Sequence, residues 1–71
     1  MSGSTVSIHF NGGPLEVPDG TTVAQLLEIA EIRSRLIAVE VNLEILAHEE
    51  HATHALRSGD TIEVVTLVGG G

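Results

Sequence analysis

The stretch Ser58-Gly59-Asp60-Thr61-Ile62-Glu63-Val64-Val65-Thr66-Leu67-Val68-Gly69-Gly70-Gly71 decides how the rest of this chain is read. Ser-Gly-Asp marks a turn, with Asp60 using its side chain to bond nearby backbone. β-branched and aliphatic residues then run from Thr61 to Val68, and the pleat of a strand sorts them onto two faces. Ile62, Val64, Thr66 and Val68 share one face; Thr61, Glu63, Val65 and Leu67 share the other. A core needs only one face. Val65 and Leu67 are therefore expected to leave an apolar docking patch just before the glycines, a kind of grouping that marks protein contact. The plainer alternative is that the domain's own crossover covers them, since scattered exposed aliphatics are ordinary.

The three glycines follow without a turn and are read as the end of the chain. Glycine adds no side chain to a core and loses more backbone entropy on ordering than any other residue. A slender tail with a free carboxylate suits a narrow enzyme site, where a Cβ would clash. The competing reading is a frayed linker, as Gly-rich ends often are.

Working backwards from this strand, the residues Thr5 to Asn11 alternate. Val6, Ile8 and Phe10 point one way, and Thr5, Ser7, His9 and Asn11 the other, the pattern of a half-buried strand. Asn11-Gly12-Gly13-Pro14 is a hairpin turn signal. Leu15 and Val17 continue as a second, antiparallel strand that Pro18 closes. After Asp19-Gly20, Thr22-Val23-Ala24-Gln25 reads as a capping box. Val23, Leu26, Leu27 and Ala30 then lie on one face of a helix of about nine to twelve residues. Glu28 and Glu31 face water, and Arg33 and Arg35 fall in or just past the last turn, where cations suit the helix dipole. Leu36 to Val41 is a third strand with Ile37, Val39 and Val41 inward. Asn42-Leu43-Glu44 leads tightly into a short Ile45-Leu46 strand. Ala47 to Leu56 shows no clean period and is expected to be a polar crossover with one helical turn. This order of elements predicts an α+β fold, a mixed sheet of four to five strands curled around one helix, with the first and last strands parallel at its centre. Residues 1–4 are expected to be a disordered lead-in, 5–68 the domain and 69–71 a flexible tail.

Composition narrows the function. Seventy-one residues make one domain, and a chain of this size buries only about 60% of its unfolded surface. There is no cysteine, so no disulfide or Cys-based metal site supplements the core. Ten acidic residues against three arginines give a formal charge of −7. That balance, without stacking aromatics, argues against nucleic-acid binding and suits a partner with a basic docking surface. No apolar run approaches the roughly 20 residues that span a bilayer, and no signal peptide is read at the start. A cytoplasmic protein, monomeric when free, is expected.

His48, Glu49, Glu50, His51 and His54 form the most metal-like cluster. Their spacing differs from the helical His-Glu-x-x-His zinc motif, which needs two histidines at i and i+4, and metal binding is not expected. His9 belongs to a polar face. Catalysis by the chain itself is also not expected. It has no lysine, cysteine or tyrosine, its serines lack a nucleophile setting, and no pair of acids is placed for acid–base work. Gly12-Gly13 joins two strands and Gly69 to Gly71 precede no helix, so neither forms a phosphate loop.

Val41-Asn42-Leu43-Glu44-Ile45, Leu56 to Val65, Val68-Gly69-Gly70-Gly71, Phe10-Asn11-Gly12 and Thr22 to Leu27 together resemble the ThiS family of sulfur carriers in thiamine biosynthesis, from about Val6 to Gly71. Where that family usually has a Val-Pro-Arg-like stretch and a nearby Trp, this chain has Leu46-Ala47-His48 and, near the Trp, His51. The resemblance implies a ubiquitin-like β-grasp that is not itself an enzyme. A ThiF-type, E1-like enzyme would consume ATP to adenylate the Gly71 carboxylate. A sulfur-donating persulfide protein would convert it to a thiocarboxylate, and a ThiG-type thiazole synthase would take up the sulfur. Gly69 and Gly70 would line the partner's channel, Val65, Leu67 and Val68 would dock, and no cofactor would be bound. Two alternatives stand beside it: a molybdopterin synthase small subunit, of the same fold and activation, and a β-grasp binding module with an inert tail.

Overall fold

A computed structural model describes residues 3–67. The strands are β1 (Thr5–Phe10), β2 (Gly13–Pro18), β3 (Ile37–Val41), β4 (Glu44–Leu46) and β5 (Thr61–Thr66), with one helix, α1 (Val23–Ile29). They form a single sheet in the order β2-β1-β5-β3-β4. β1 and β5 are parallel at its centre, and every other neighbouring pair is antiparallel. This is the α+β arrangement expected from the order of elements, and the β-grasp that the resemblance implies.

Local chemistry accounts for each connection. The β1–β2 hairpin closes at Phe10 opposite Gly13, with Asn11 and Gly12 both at positive φ, +48° and +88°, the conformation that two-residue hairpins require. The β3–β4 hairpin uses Asn42 and Leu43 in the same way, at +53° and +72°. Leucine is an unusual occupant of that position.

The start of α1 is fully tied. Thr22 Oγ1 accepts from Gln25 N–H at 3.2 Å and Gln25 Oε1 accepts from Thr22 N–H at 3.0 Å, the reciprocal box read from sequence. The Val23 and Ala24 N–H groups donate to the carbonyls of His54 and His51 at 3.0 and 2.8 Å. The first-turn donors that a helix leaves without intrahelical partners thus find them in the cap and in the crossover.

The helix is shorter than its periodicity suggests, seven residues rather than nine to twelve. Glu31 N–H donates to Glu28 C=O and Ile32 N–H to Leu27 C=O, the paired bonds of a Schellman stop. Glu31 holds the left-handed position at φ +60°, usually a glycine's, so the sequence carries no obvious stop signal there. Arg33 and Arg35 consequently lie past the helix, whose last turn has no basic residue.

The core gathers on the helix side of the sheet: Ile8, Val17, Val39, Val41 and Ile62 from the strands, Val23 and Leu26 from α1, and Leu56 from the crossover. Each such side chain fully buried stabilises the fold by roughly 1.5–3 kcal/mol. The crossover is less purely polar than its sequence suggests. It contains a 3-10 turn at His48–Glu50, and His51 is buried. Near its end Ala55 bridges Thr22, while Leu56 N–H donates to Thr21 C=O at 2.8 Å.

Candidate functional site

The candidate site is the end of β5 and the sheet face around it. The start of β5 is fixed by an interlock between two turns. Asn42 Nδ2 donates to Asp60 Oδ1 at 3.0 Å, and Asn42 Oδ1 accepts from Thr61 N–H at 2.9 Å. The other Asp60 oxygen accepts from Arg57 N–H at 2.9 Å, so Asp60 does serve its own turn, which Gly59 permits at φ +90°.

β1 supports β5 only at its beginning, His9 beside Thr61 and Phe10 beside Ile62. The next rung is supplied by a side chain: Asn11 Oδ1 accepts from Val64 N–H at 2.8 Å. Past that point β1 has ended, and β5 is paired on β3's side alone. Ile37 stands opposite Thr66, and Leu67 N–H donates to Leu36 C=O at 2.7 Å. The end of β5 is therefore held from one flank.

The two faces of β5 sort as expected. Ile62 is buried and Val64 partly buried, whereas Val65 is 47% and Leu67 62% exposed. The crossover does not cover them. Thr66 shares the inner face but lies beyond the core and is exposed. Val68, Gly69, Gly70 and Gly71, the other expected site residues, lie outside the described residues.

The register adds residues that the sequence reading did not include. Ala38 faces Val65 across the β3–β5 ladder, and Leu36, 55% exposed, stands opposite Leu67. Ile45, 65% exposed, faces Glu40 from β4. The outer face thus carries a broader apolar surface, of Leu36, Ala38, Ile45, Val65 and Leu67. The signal for Leu36 was present: once Ile37, Val39 and Val41 point inward, alternation turns Leu36 and Ala38 outward.

The crossover histidines do not converge. Among the described residues no group of three His, Cys, Asp or Glu side chains is arranged to hold a metal. His48 and His51 lie ring to ring, centroids 5.0 Å apart and planes tilted by 47°. His51 Nε2 is buried with no hydrogen-bond partner among the described residues, and His54 lines a different, open cleft with Glu50 and Arg57. No helix of the described residues is long and apolar enough to cross a membrane.

Comparison with known proteins places this geometry. The model of the ThiS family matches residues 8–71. The Escherichia coli sulfur carrier protein ThiS is 32% identical over 66 residues, covering 93% of this chain and 100% of that protein. An uncharacterized protein of Porphyra purpurea, ycf40, is 30% identical over 71 residues, with 100% of both covered. A thiazole synthase of Paramagnetospirillum magneticum is 39% identical over 66 residues, 93% of this chain but 20% of that protein. The chain thus spans about a fifth of that relative's length. The crystal structure of the thiamine biosynthesis protein ThiS from Geobacter metallireducens superposes with a TM-score of 0.80 at 28% identity, covering 93% of this chain and 100% of that one.

Proposed function

This chain belongs to the ThiS family, and from that membership we propose that it is a sulfur carrier of thiamine biosynthesis whose cargo site is the carboxylate of Gly71. A carboxylate is a poor electrophile. In the proposed cycle an oxygen of Gly71 attacks the α-phosphorus of ATP on a ThiF-type adenylating enzyme and pyrophosphate leaves. The terminal sulfur of a persulfide protein then attacks the acyl adenylate, AMP leaves, and an acyl disulfide forms. A thiol attacks the other sulfur of that disulfide and releases the thiocarboxylate. The chain supplies a carrier rather than a catalyst: it has no thiol of its own, so the terminal sulfur would be its only sulfur nucleophile. It binds no cofactor in this scheme, and ATP is consumed by the partner.

The observation that carries this reading is the way β5 ends. A central strand, held at its start by Asn42, Asp60 and Asn11, ends with Val65 and the following Leu67 exposed, and in the sequence Gly69-Gly70-Gly71 come two residues later. A rigid body would thereby present an apolar docking face, with Val65, Leu67 and Val68 at its edge, next to a tail whose Gly69 and Gly70 fit a narrow channel. A thiazole synthase of the ThiG type is the proposed sulfur acceptor. It is supported by the relatives of that name, in which a segment like this chain shares a polypeptide with the rest of the protein. A cytoplasmic location and a monomeric free state complete the proposal.

Incubation with ATP, a ThiF-type enzyme and a persulfide donor is expected to raise the intact mass by about 16 Da, sulfur replacing oxygen in an activated acyl group. An unchanged mass with enzyme shown to be active would rule the reading out.

A further inference from the structure

The outer sheet face holds a pair of like charges among its apolar residues. Register sets Glu63 of β5 directly opposite Glu40 of β3, and Ile45 of β4 opposite Glu40 on its other side. Asn42 N–H donates to Thr61 C=O, and Leu67 N–H donates to Leu36 C=O. Because bonded and non-bonded pairs alternate along an antiparallel ladder, Glu40 and Glu63 fall in a bonded pair, with Cα atoms about 5.5 Å apart. Like charges so placed repel. Neither carboxylate takes part in a side-chain hydrogen bond among the described residues.

The chain's own cations are placed elsewhere. Arg33 and Arg35 lie between α1 and β3, and Arg57 lies in the turn before β5. His9 is the ionisable group of β1 beside the row, at the register position of Thr61. The pair is bordered by Ile45 at one side and by Val65 and Ala38 in the next row. An apolar partner surface laid on Val65 and Leu67 would take these carboxylates partly out of water. Burying charges without partners is strongly unfavourable, so the partner must bring the counter-charge.

We propose that the surface docking on this sheet face carries an arginine whose guanidinium sits between Glu40 and Glu63, and that this surface belongs to the adenylating enzyme. The inference rests on the carrier reading above and specifies the chemistry of its partner. A guanidinium suits the place because its planar fork offers five donors and can bond two carboxylates at once. The apolar rows supply contact area, and the glutamate pair selects a basic partner over a neutral or acidic one.

The E40Q/E63Q double variant removes both charges at nearly constant shape. Its binding to a ThiF-type adenylating enzyme is compared with wild type by titration at low and at physiological salt, with the intact-mass assay run on wild type alongside. The expected result is binding weakened about tenfold or more at low salt, with most of the wild-type salt dependence gone. Each single variant is expected to fall between. Equal or tighter binding by the double variant, while wild type still gains the mass of sulfur, overturns this inference and leaves the carrier reading intact. No mass gain by wild type overturns the carrier reading and this inference with it. The double variant is also expected to melt no lower than wild type, because a repulsion has been removed; a lower melting temperature would assign the pair to the fold and count against the proposal.

Discussion

Asn11 Oδ1 accepts a hydrogen bond from the Val64 backbone N–H at 2.8 Å across 53 residues of sequence. A hairpin-turn side chain thereby completes a ladder that β1 is too short to finish. Asn11 also holds φ +48° in the turn, so glycine tests the hydrogen bond while sparing the backbone conformation. Asn11→Gly is expected to lower stability by about 1 kcal/mol, the usual net value of one such bond. Amide exchange should quicken at Val64 while Ile8 keeps its protection. Denaturant titration with residue-resolved exchange checks both.

Leu43 is 87% exposed at φ +72°. It occupies the second position of a two-residue hairpin turn, where glycine fits without strain. Leu43→Gly is expected to stabilise the domain by roughly 0.5–1 kcal/mol, the left-handed penalty less the added entropy of the unfolded chain. A urea midpoint shifted upwards at unchanged slope would confirm it. A downward shift would mean that the leucine side chain packs in solution.

His51 offers a third test. Its Nε2 is buried without a partner among the described residues, and an unsatisfied buried polar atom costs about 1–3 kcal/mol. His51→Phe keeps a ring beside His48 and removes the orphaned nitrogen. A gain of about 1 kcal/mol is expected in denaturant titration, at the low end because a new ring rarely packs perfectly. A loss would show that Nε2 finds a partner in solution.

Local chemistry made most of this fold legible. Asn11-Gly12, the Thr22–Gln25 box and the alternation of Ile37, Val39 and Val41 each specify their geometry within a few residues, and the structure follows them. What stayed hidden depends on contacts distant in sequence. The helix stops at a Schellman turn held by Glu31, a residue type that does not announce one. His51 is buried at a point where its carbonyl accepts the Ala24 N–H at 2.8 Å, a contact that no periodicity within 47–56 encodes. The outward pair Val65 and Leu67 was legible because one strand's alternation suffices to place it. Glu40 opposite Glu63 was not, because it requires the register between two strands separated by the whole crossover.

That register also makes a sharp contrast available along one stretch of chain. Leu67, just past the end of β5, is 62% exposed, while Ile62, five residues earlier, is fully buried. An aspartate at Leu67 meets water in the free domain, so Leu67→Asp is expected to leave the melting temperature within a few degrees of wild type, as surface changes of about 0.5 kcal/mol do. In a complex with the adenylating enzyme the same carboxylate would be forced into apolar contact beside Val65 and Leu36. A loss of 2 kcal/mol or more, about thirtyfold in affinity, is expected there. Ile62→Asp should do the reverse: it strands a charge in the core and abolishes folding, whatever the partner. Calorimetry on the free variants and binding titrations with the enzyme separate the two effects. If Leu67→Asp unfolds the domain, the side chain belongs to the core and the docking face must lie elsewhere; if it binds as tightly as wild type, the enzyme approaches the tail without touching this end of β5.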